Sequence, residues 1–276
     1  DLQKCFTEYV ADVQRRLKEN RLKPGEDVRL EDGRLHVSGQ VAVMSINALL
    51  AKAIFDRNPD RQFFVEESFP LDWMYPCLEP HGLILKLNRQ PLTRLPPESI
   101  AADEAHWRKL TADMLGGWLR RETPVRETVD FVERVYVHHD LAGFAGDRRF
   151  IENDCARRIF SKLRSSIAGL YAWRLGPGAP AQFRPHSEAE QQHLLAQADF
   201  AFRQAFVLCP DSPEVTSRYV HLLTQANRID DALLIAGAAL KVDPQNTQVH
   251  DLLDGLKRKA PNRGEHSNKP EPQLSR

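Results

Sequence analysis

The sequence carries no excess of charge of either sign: Lys+Arg and Asp+Glu both number 38 in 276 residues. Proteins that hold nucleic acid through its phosphates show a basic surplus, so a general nucleic-acid binder is not expected. Cysteine is scarce. Cys5, Cys77, Cys155 and Cys209 are scattered, with no CxxC pair and no metal-ligand spacing, which argues against a zinc module and points to free buried thiols. An oxidising compartment would permit a disulfide, but the sequence does not pair the four. No apolar run approaches the ~18–20 residues of a membrane span, and no signal-peptide pattern is visible. The chain opens on Asp1 rather than Met, so the expectation is a domain cut from something longer. There is no glycine-rich phosphate loop. Ser38-Gly39 and Ser68 lack the strand–GxSxG–helix context of a hydrolase nucleophile.

What is present is a core-forming composition, 42% apolar, over a length that suits one large or two medium domains. The strongest pattern lies near the C-terminus. Ala198, Phe202, Ala205 and Pro210 recur as Ala232, Ala236, Ala239 and Pro244, 34 residues apart in each case, the period of a helical-hairpin repeat. One repeat reads from Pro213 to Pro244. Its first helix carries Thr216, Tyr219, Val220 and Leu223 at helical spacing. Asn227-Arg228 is a turn, because Asn tolerates the left-handed conformation that ends helices. The second helix runs from Asp230 to about Val242, with small residues where two helices approach, and Pro244 stops it. This resembles a tetratricopeptide repeat, with Thr216 where that family carries a large aromatic and Ala236 where it often has a larger apolar residue. A half repeat precedes it (Ser187 to Cys209, partnered by Arg158 to Arg174, with an inserted loop between). Another follows (Thr247 to Lys257, with Val249, Leu252, Leu253 and Leu256). About three repeats are normally needed to bury their faces, so the stack must lean on upstream helices.

Upstream, Leu2, Phe6, Tyr9, Val13 and Leu17 define an amphipathic helix. Val28 to Leu30 and Arg34 to Val37 flank Asp32-Gly33, a strong hairpin signal. Ser38 caps a helix from about Val41 to Phe55 that is apolar over much of its circumference and ends at Asn58-Pro59. Phe63 to Val65 reads as a buried strand and Leu83 to Leu87 as another. Alternating helices and strands suggest a small α/β unit over residues 1–90 whose sheet looks incomplete. After a linker from Pro91 to Pro97, everything to residue 258 reads as helix. Ile100, Trp107, Leu110, Met114 and Trp118 line the first of these helices, Val125, Val129, Val132 and Val135 the second, and one long helix runs from Phe150 to Trp173. Residues 259–276 are polar and proline-bearing, so a disordered tail is expected. The fold class is therefore mainly α: a small, incomplete α/β unit followed by a tetratricopeptide-like helical array.

Candidate chemistry is thin. Glu66, Glu67 and Asp72 cluster with aromatics after a strand, and with His81 they could form a ligand or acid–base site. A tight turn whose aromatics plug the core and whose acids are solvated accounts for them more simply. His138-His139-Asp140 has adjacent histidines that point apart on a helix, and helix C-termini favour histidine electrostatically, so a capping role is expected and no metal. Arg120-Arg121, Arg148-Arg149 and Arg157-Arg158 read as solvated helix faces. On the first repeat helix, Ser217, His221 and Thr224 lie away from the Tyr219/Leu223 stripe. First helices of tetratricopeptide proteins line the groove that holds a peptide, so the resemblance makes these three partner-binding candidates.

The segments Phe63 to Lys86 and Phe160 to Arg174, together with the repeat, resemble the soluble C-terminal region of a bacterial membrane-protein family. That family has an uncharacterised domain similar to protein O-mannosyltransferases, and some members end in tetratricopeptide repeats. The resemblance spans most of residues 1–258. In such glycosyltransferase-like proteins the catalytic acids lie in an early loop between membrane spans, which this chain lacks, so no catalytic residue carries over. The resemblance implies a non-catalytic region facing the outside of the bacterial cytoplasmic membrane. Its partners would be a protein or peptide and the membrane-embedded part of the same polypeptide, with no cofactor. A sugar- or nucleotide-binding enzyme domain using residues 63–82, and a purely structural cap, are the rival expectations.

Overall fold

The computed structural model describes residues 2–31, 34–66 and 71–259, the side chains of Arg34 and Lys259 excepted. The chain is mainly helical, with a small strand-containing part, and it divides into two units, Asp1–Pro96 and Pro97–Arg276. The expected tail lies almost wholly outside the described residues; helix runs to Lys259.

In the first unit, α1 (Leu2–Lys18) buries Cys5, Tyr9 and Val13, residues spaced by four as one helical face requires. β1 (Asp27–Glu31) and β2 (Arg34–Ser38) pair antiparallel with Glu31 opposite Arg34, the register of a two-residue hairpin loop. Tyr9, Val13 and Ala42 form a small core with Val28, Leu35, Val37, Ile46 and Leu49 packed on it. Ser38 does precede α2 (Gly39–Arg57), but its hydroxyl makes no cap; it donates instead to Asp27 Oδ2 at 2.6 Å. The acceptor across the hairpin is an ionised carboxylate, a stronger partner than a helix N–H offers the serine oxygen. Only Ala42 and Phe55 of α2 are buried, and Val43 and Ile54 remain 57% and 49% exposed. Arg89 closes this helix from below. It lies 4.0 Å from the Phe55 ring and donates to the carbonyls of Phe55, Asn58 and Arg61, tying the last turn of the helix to the chain that leaves it.

The second sheet is antiparallel in the order β3–β5–β4, formed by β3 (Phe63–Val65), β4 (Leu78–His81) and β5 (Ile84–Leu87). The sequence reading missed β4, because Pro80 and Cys77 obscure a four-residue strand. β3 is an edge strand and Phe64 is 40% exposed, so it is not the buried strand expected. One face of this sheet carries the buried Leu78, Leu85 and Leu87.

The second unit starts with α3 (Pro97–Leu115), which buries Ile100, Asp103, Trp107, Thr111 and Leu115. Trp118 lies beyond the helix, because Gly116 turns left-handed at φ +82° and ends it. α4 (Val125–Val132) continues into a π-helical turn, Glu133–Val137. The long helix expected from Phe150 is broken into α5 (Arg148–Glu152) and α6 (Asp154–Leu175). Asn153 ends the first in an extended conformation and caps the second, accepting from the Ala156 N–H at 3.0 Å. α7 (Glu188–Leu208) is capped by Ser187, and α8 (Pro213–Gln225) by Ser212. Asn227, at φ +58°, makes the turn into α9 (Ile229–Val242), and α10 (Thr247–Lys259) follows. Packing runs α6 on α7, α7 on α8, α8 on α9 and α9 on α10. α8 also touches α6 and α10, while α4 lies against α7 and α9.

Candidate functional site

The helical array is held by two buried polar clusters that the apolar stripes conceal. In the first, Arg164 of α6 donates through Nη1 to both oxygens of Asp103 of α3 and through Nε to Gln204 of α7 at 2.8 Å. Tyr171 donates to the same carboxylate at 2.8 Å, and Gln204 reaches Thr111 at 3.2 Å. Burial, and then the Asp103 charge, push the Tyr171 phenol well above its ordinary value. In the second, Asp199 of α7 accepts from Arg203, from Tyr219 of α8 at 3.0 Å and from Arg228 of the α8–α9 turn at 2.9 Å. Burial and then Asp199 raise the Tyr219 phenol above its usual range. Both phenols are therefore neutral hydrogen-bond donors, which suits a role in holding the helices together. Asp103 sits three residues after Ile100 and four before Trp107, so the signal for a buried acid was legible as an interruption of the stripe.

The second cluster ties α8 to α7 through Tyr219, and the outward residues of α8 are the repeat candidates. His221 is exposed, while Ser217 and Thr224 are half-buried. The Thr224 hydroxyl is committed to the Val220 carbonyl at 2.8 Å, so it offers a partner its methyl group and the oxygen lone pairs. The three positions follow the i, i+4, i+7 spacing of a single helix face. On the adjoining side of α8 the Arg218 guanidinium lies on Gly169 of α6 and reaches toward Ser165.

The acidic candidates of the first unit do not share one place. Glu67 lies outside the described residues. Glu66 and His81 are exposed. Carrying the β3–β5 register one residue further sets Glu66 opposite Ile84, whose partner in the hairpin is His81. They thus flank Ile84 on one sheet face, two strand spacings or about 10 Å apart at the backbone. The His81 ring packs 5.0 Å from that of Phe64. Asp72 instead borders a cavity of ≈ 420 Å³ against α1 and α2, with Trp73, Asp12, Arg16 and Lys23 on its wall and neither Glu66 nor His81. The Trp73 indole donates to the Ala48 carbonyl at 3.1 Å. Because the sheet is antiparallel, it has no row of strand C-termini of the kind that gathers ligand groups in parallel sheets. Among the described residues no group of three His, Cys, Asp or Glu is placed to hold a metal ion. None of the helices among them is long and apolar enough to cross a membrane.

Comparison of the chain with protein-family models, with curated proteins and with solved structures gives no significant match.

Proposed function

We propose that the second unit is a helical-repeat scaffold that binds a protein or peptide segment. The region would serve a larger bacterial membrane protein of glycosyltransferase-like type, placing an acceptor or partner on the outer side of the cytoplasmic membrane, and would perform no catalysis itself. The observation that carries this reading is the packing order: α6, α8 and α10 lie side by side, and α4 is laid on α7 and α9 rather than on α8. A face bearing Ser217, His221 and Thr224 is then available to an extended segment, and helix grooves of this kind are a recurring mode of peptide recognition.

The test is a random-peptide display selection on the whole chain, followed by affinity measurement on the triple variant Ser217→Ala, His221→Ala, Thr224→Ala. Selected peptides that lose at least about tenfold in affinity on the variant, with its melting point unchanged, support the groove. Peptides that bind the variant equally well, or a selection that enriches nothing, reject it.

The sugar- or nucleotide-binding alternative keeps one favourable observation, the cavity beside Asp72 with an indole and three cationic side chains, Arg16, Lys23 and Lys52, on its wall. It loses the convergence of Glu66 and His81 on that cavity.

A further inference from the structure

The end of α3 and the face of α4 that continues into its π-helical turn border a second cavity, ≈ 380 Å³, whose residues took no part in the reading above. Its walls are two glycine-bearing loops. One is Gly116-Gly117-Trp118, the other Gly143-Phe144-Ala145. The second loop is locked onto the first helix: the Asp147 N–H donates to the Met114 carbonyl at 3.0 Å, and a Cβ on Gly146 would stand 2.5 Å from that same carbonyl oxygen. The cleft is therefore preformed. Its aromatic lining is continuous, with Trp118 stacked on Phe131 at 4.4 Å and Phe144 at 6.2 Å from Phe131.

The charged residues come from one helix face. Glu127, Asp130, Phe131 and Arg134 are spaced i, i+3, i+4, i+7 and all border the cavity. Both carboxylates are exposed, and neither makes a salt bridge or side-chain hydrogen bond among the described residues. The Arg134 guanidinium lies 5.8 Å from the Phe131 ring, so this lining already accommodates one cation on an aromatic surface. Two carboxylates against one guanidinium leave one negative charge in excess.

We propose that this cleft receives an arginine side chain from a protein partner, the guanidinium lying against the aromatic lining and pairing with Glu127 and Asp130. Arginine suits it better than lysine because a planar guanidinium can both stack on a ring and donate to a carboxylate in parallel. The site is separate from the α8 face, so its failure and that of the groove are read by different variants.

The experiment measures anisotropy of a fluorescein-labelled peptide carrying two arginines, beside lysine, glutamine and glutamate counterparts, on the whole chain. The expected result is binding in the order arginine, lysine, glutamine, with none for glutamate. The Glu127→Gln, Asp130→Asn double variant and the Phe144→Ala variant each lose at least about tenfold, while the α8 triple variant binds as wild type does. Affinity for the arginine peptide also falls as salt rises, which needs no variant to fold. Equal binding of the glutamine peptide, undiminished binding by the double variant, salt-independent binding, or no binding of the arginine peptide overturns the assignment.

Discussion

Arg164 and Asp103, 61 residues apart in sequence, meet in the interior of the helical unit with Nη1 2.9 Å from both carboxylate oxygens, and both side chains are almost wholly shielded from water. The pair joins α3 to the repeat-like helices. Removing one partner leaves a charge buried without its counter-ion. Asp103→Ala or Arg164→Ala is therefore expected to cost about 3–5 kcal/mol. A double replacement by apolar residues of matching volume, Asp103→Leu with Arg164→Met, is expected to cost less than the worse single change. Urea unfolding of the four proteins measures this, and additive single costs would show that the two do not act as a unit.

Glycine is required at position 146, in the loop laid on the end of α3, and not at position 117, in the turn that follows α3. A Cβ at Gly146 meets backbone atoms, Met114 O at 2.5 Å and Leu115 C at 2.6 Å, whereas one at Gly117 meets nothing within 4 Å. Gly146→Ala should destabilise the unit by about 1–3 kcal/mol, since backbone must shift to admit the methyl group. Gly117→Ala should be neutral or stabilising by up to about 1 kcal/mol. Thermal unfolding of the two variants side by side checks the contrast, and similar midpoints would refute it.

The thiols should separate by burial. Cys5, Cys77 and Cys209 are buried and Cys155 is exposed, which departs from the expectation of buried thiols throughout. Burial, reinforced by the Asp211 carboxylate that accepts from its Sγ, pushes the Cys209 thiol up to about 12. Burial also raises Cys77. A disulfide-exchange reagent at pH 8 is expected to label one thiol quickly, with Cys155→Ser abolishing that phase and the others reacting only on unfolding. Fast labelling of Cys209 would contradict this environment.

Acid should weaken the first unit through Glu26. Hydrogen bonds from Arg16 hold its carboxyl below the usual range against the opposing effect of burial, helped by the Lys23 N–H and the Tyr9 hydroxyl. A depressed carboxyl adds stability that is complete above the unfolded value, about 4.3, and is lost as pH falls through the folded one. The stability difference between wild type and Glu26→Gln should thus be constant from neutral pH to about pH 5 and shrink below it. Tyr9 gives the mirror effect: burial, then Glu26, push its phenol up to about 12, so its contribution is present below pH about 10 and fades as pH rises past that. Exchange of α1 amides against pH reads both limits. A difference that stays unchanged at pH 3 would rule out the Glu26 contribution.

Local rules carried much of the fold. Apolar residues at intervals of three and four located α1, α4 and α8, Asp32-Gly33 located the hairpin, and Asn227 and Pro244 marked the turn and stop around α9. Each of these is decided within a few residues by backbone sterics or helix periodicity. The break at Asn153 escaped because its side chain caps a helix whose apolar pattern runs straight through it. The role of Asp72 as a cavity residue, apart from Glu66 and His81, could not be read from their closeness in sequence, since β4 and the hairpin carry His81 away.

The amino-acid sequence by itself determined most of the helical segments, the turn at Asn227, and that a 34-residue period links α7 to α9, though not the break at Asn153 or the end of α3 at Gly116. Tertiary structure alone decided the partners of the buried charges, the neighbours of the α8 face, and the meeting of Trp118, Phe131 and Phe144 around Glu127 and Asp130. Helix periodicity is a property of adjacent residues, whereas a buried ion pair or a cleft between loops depends on which distant surfaces exclude water together.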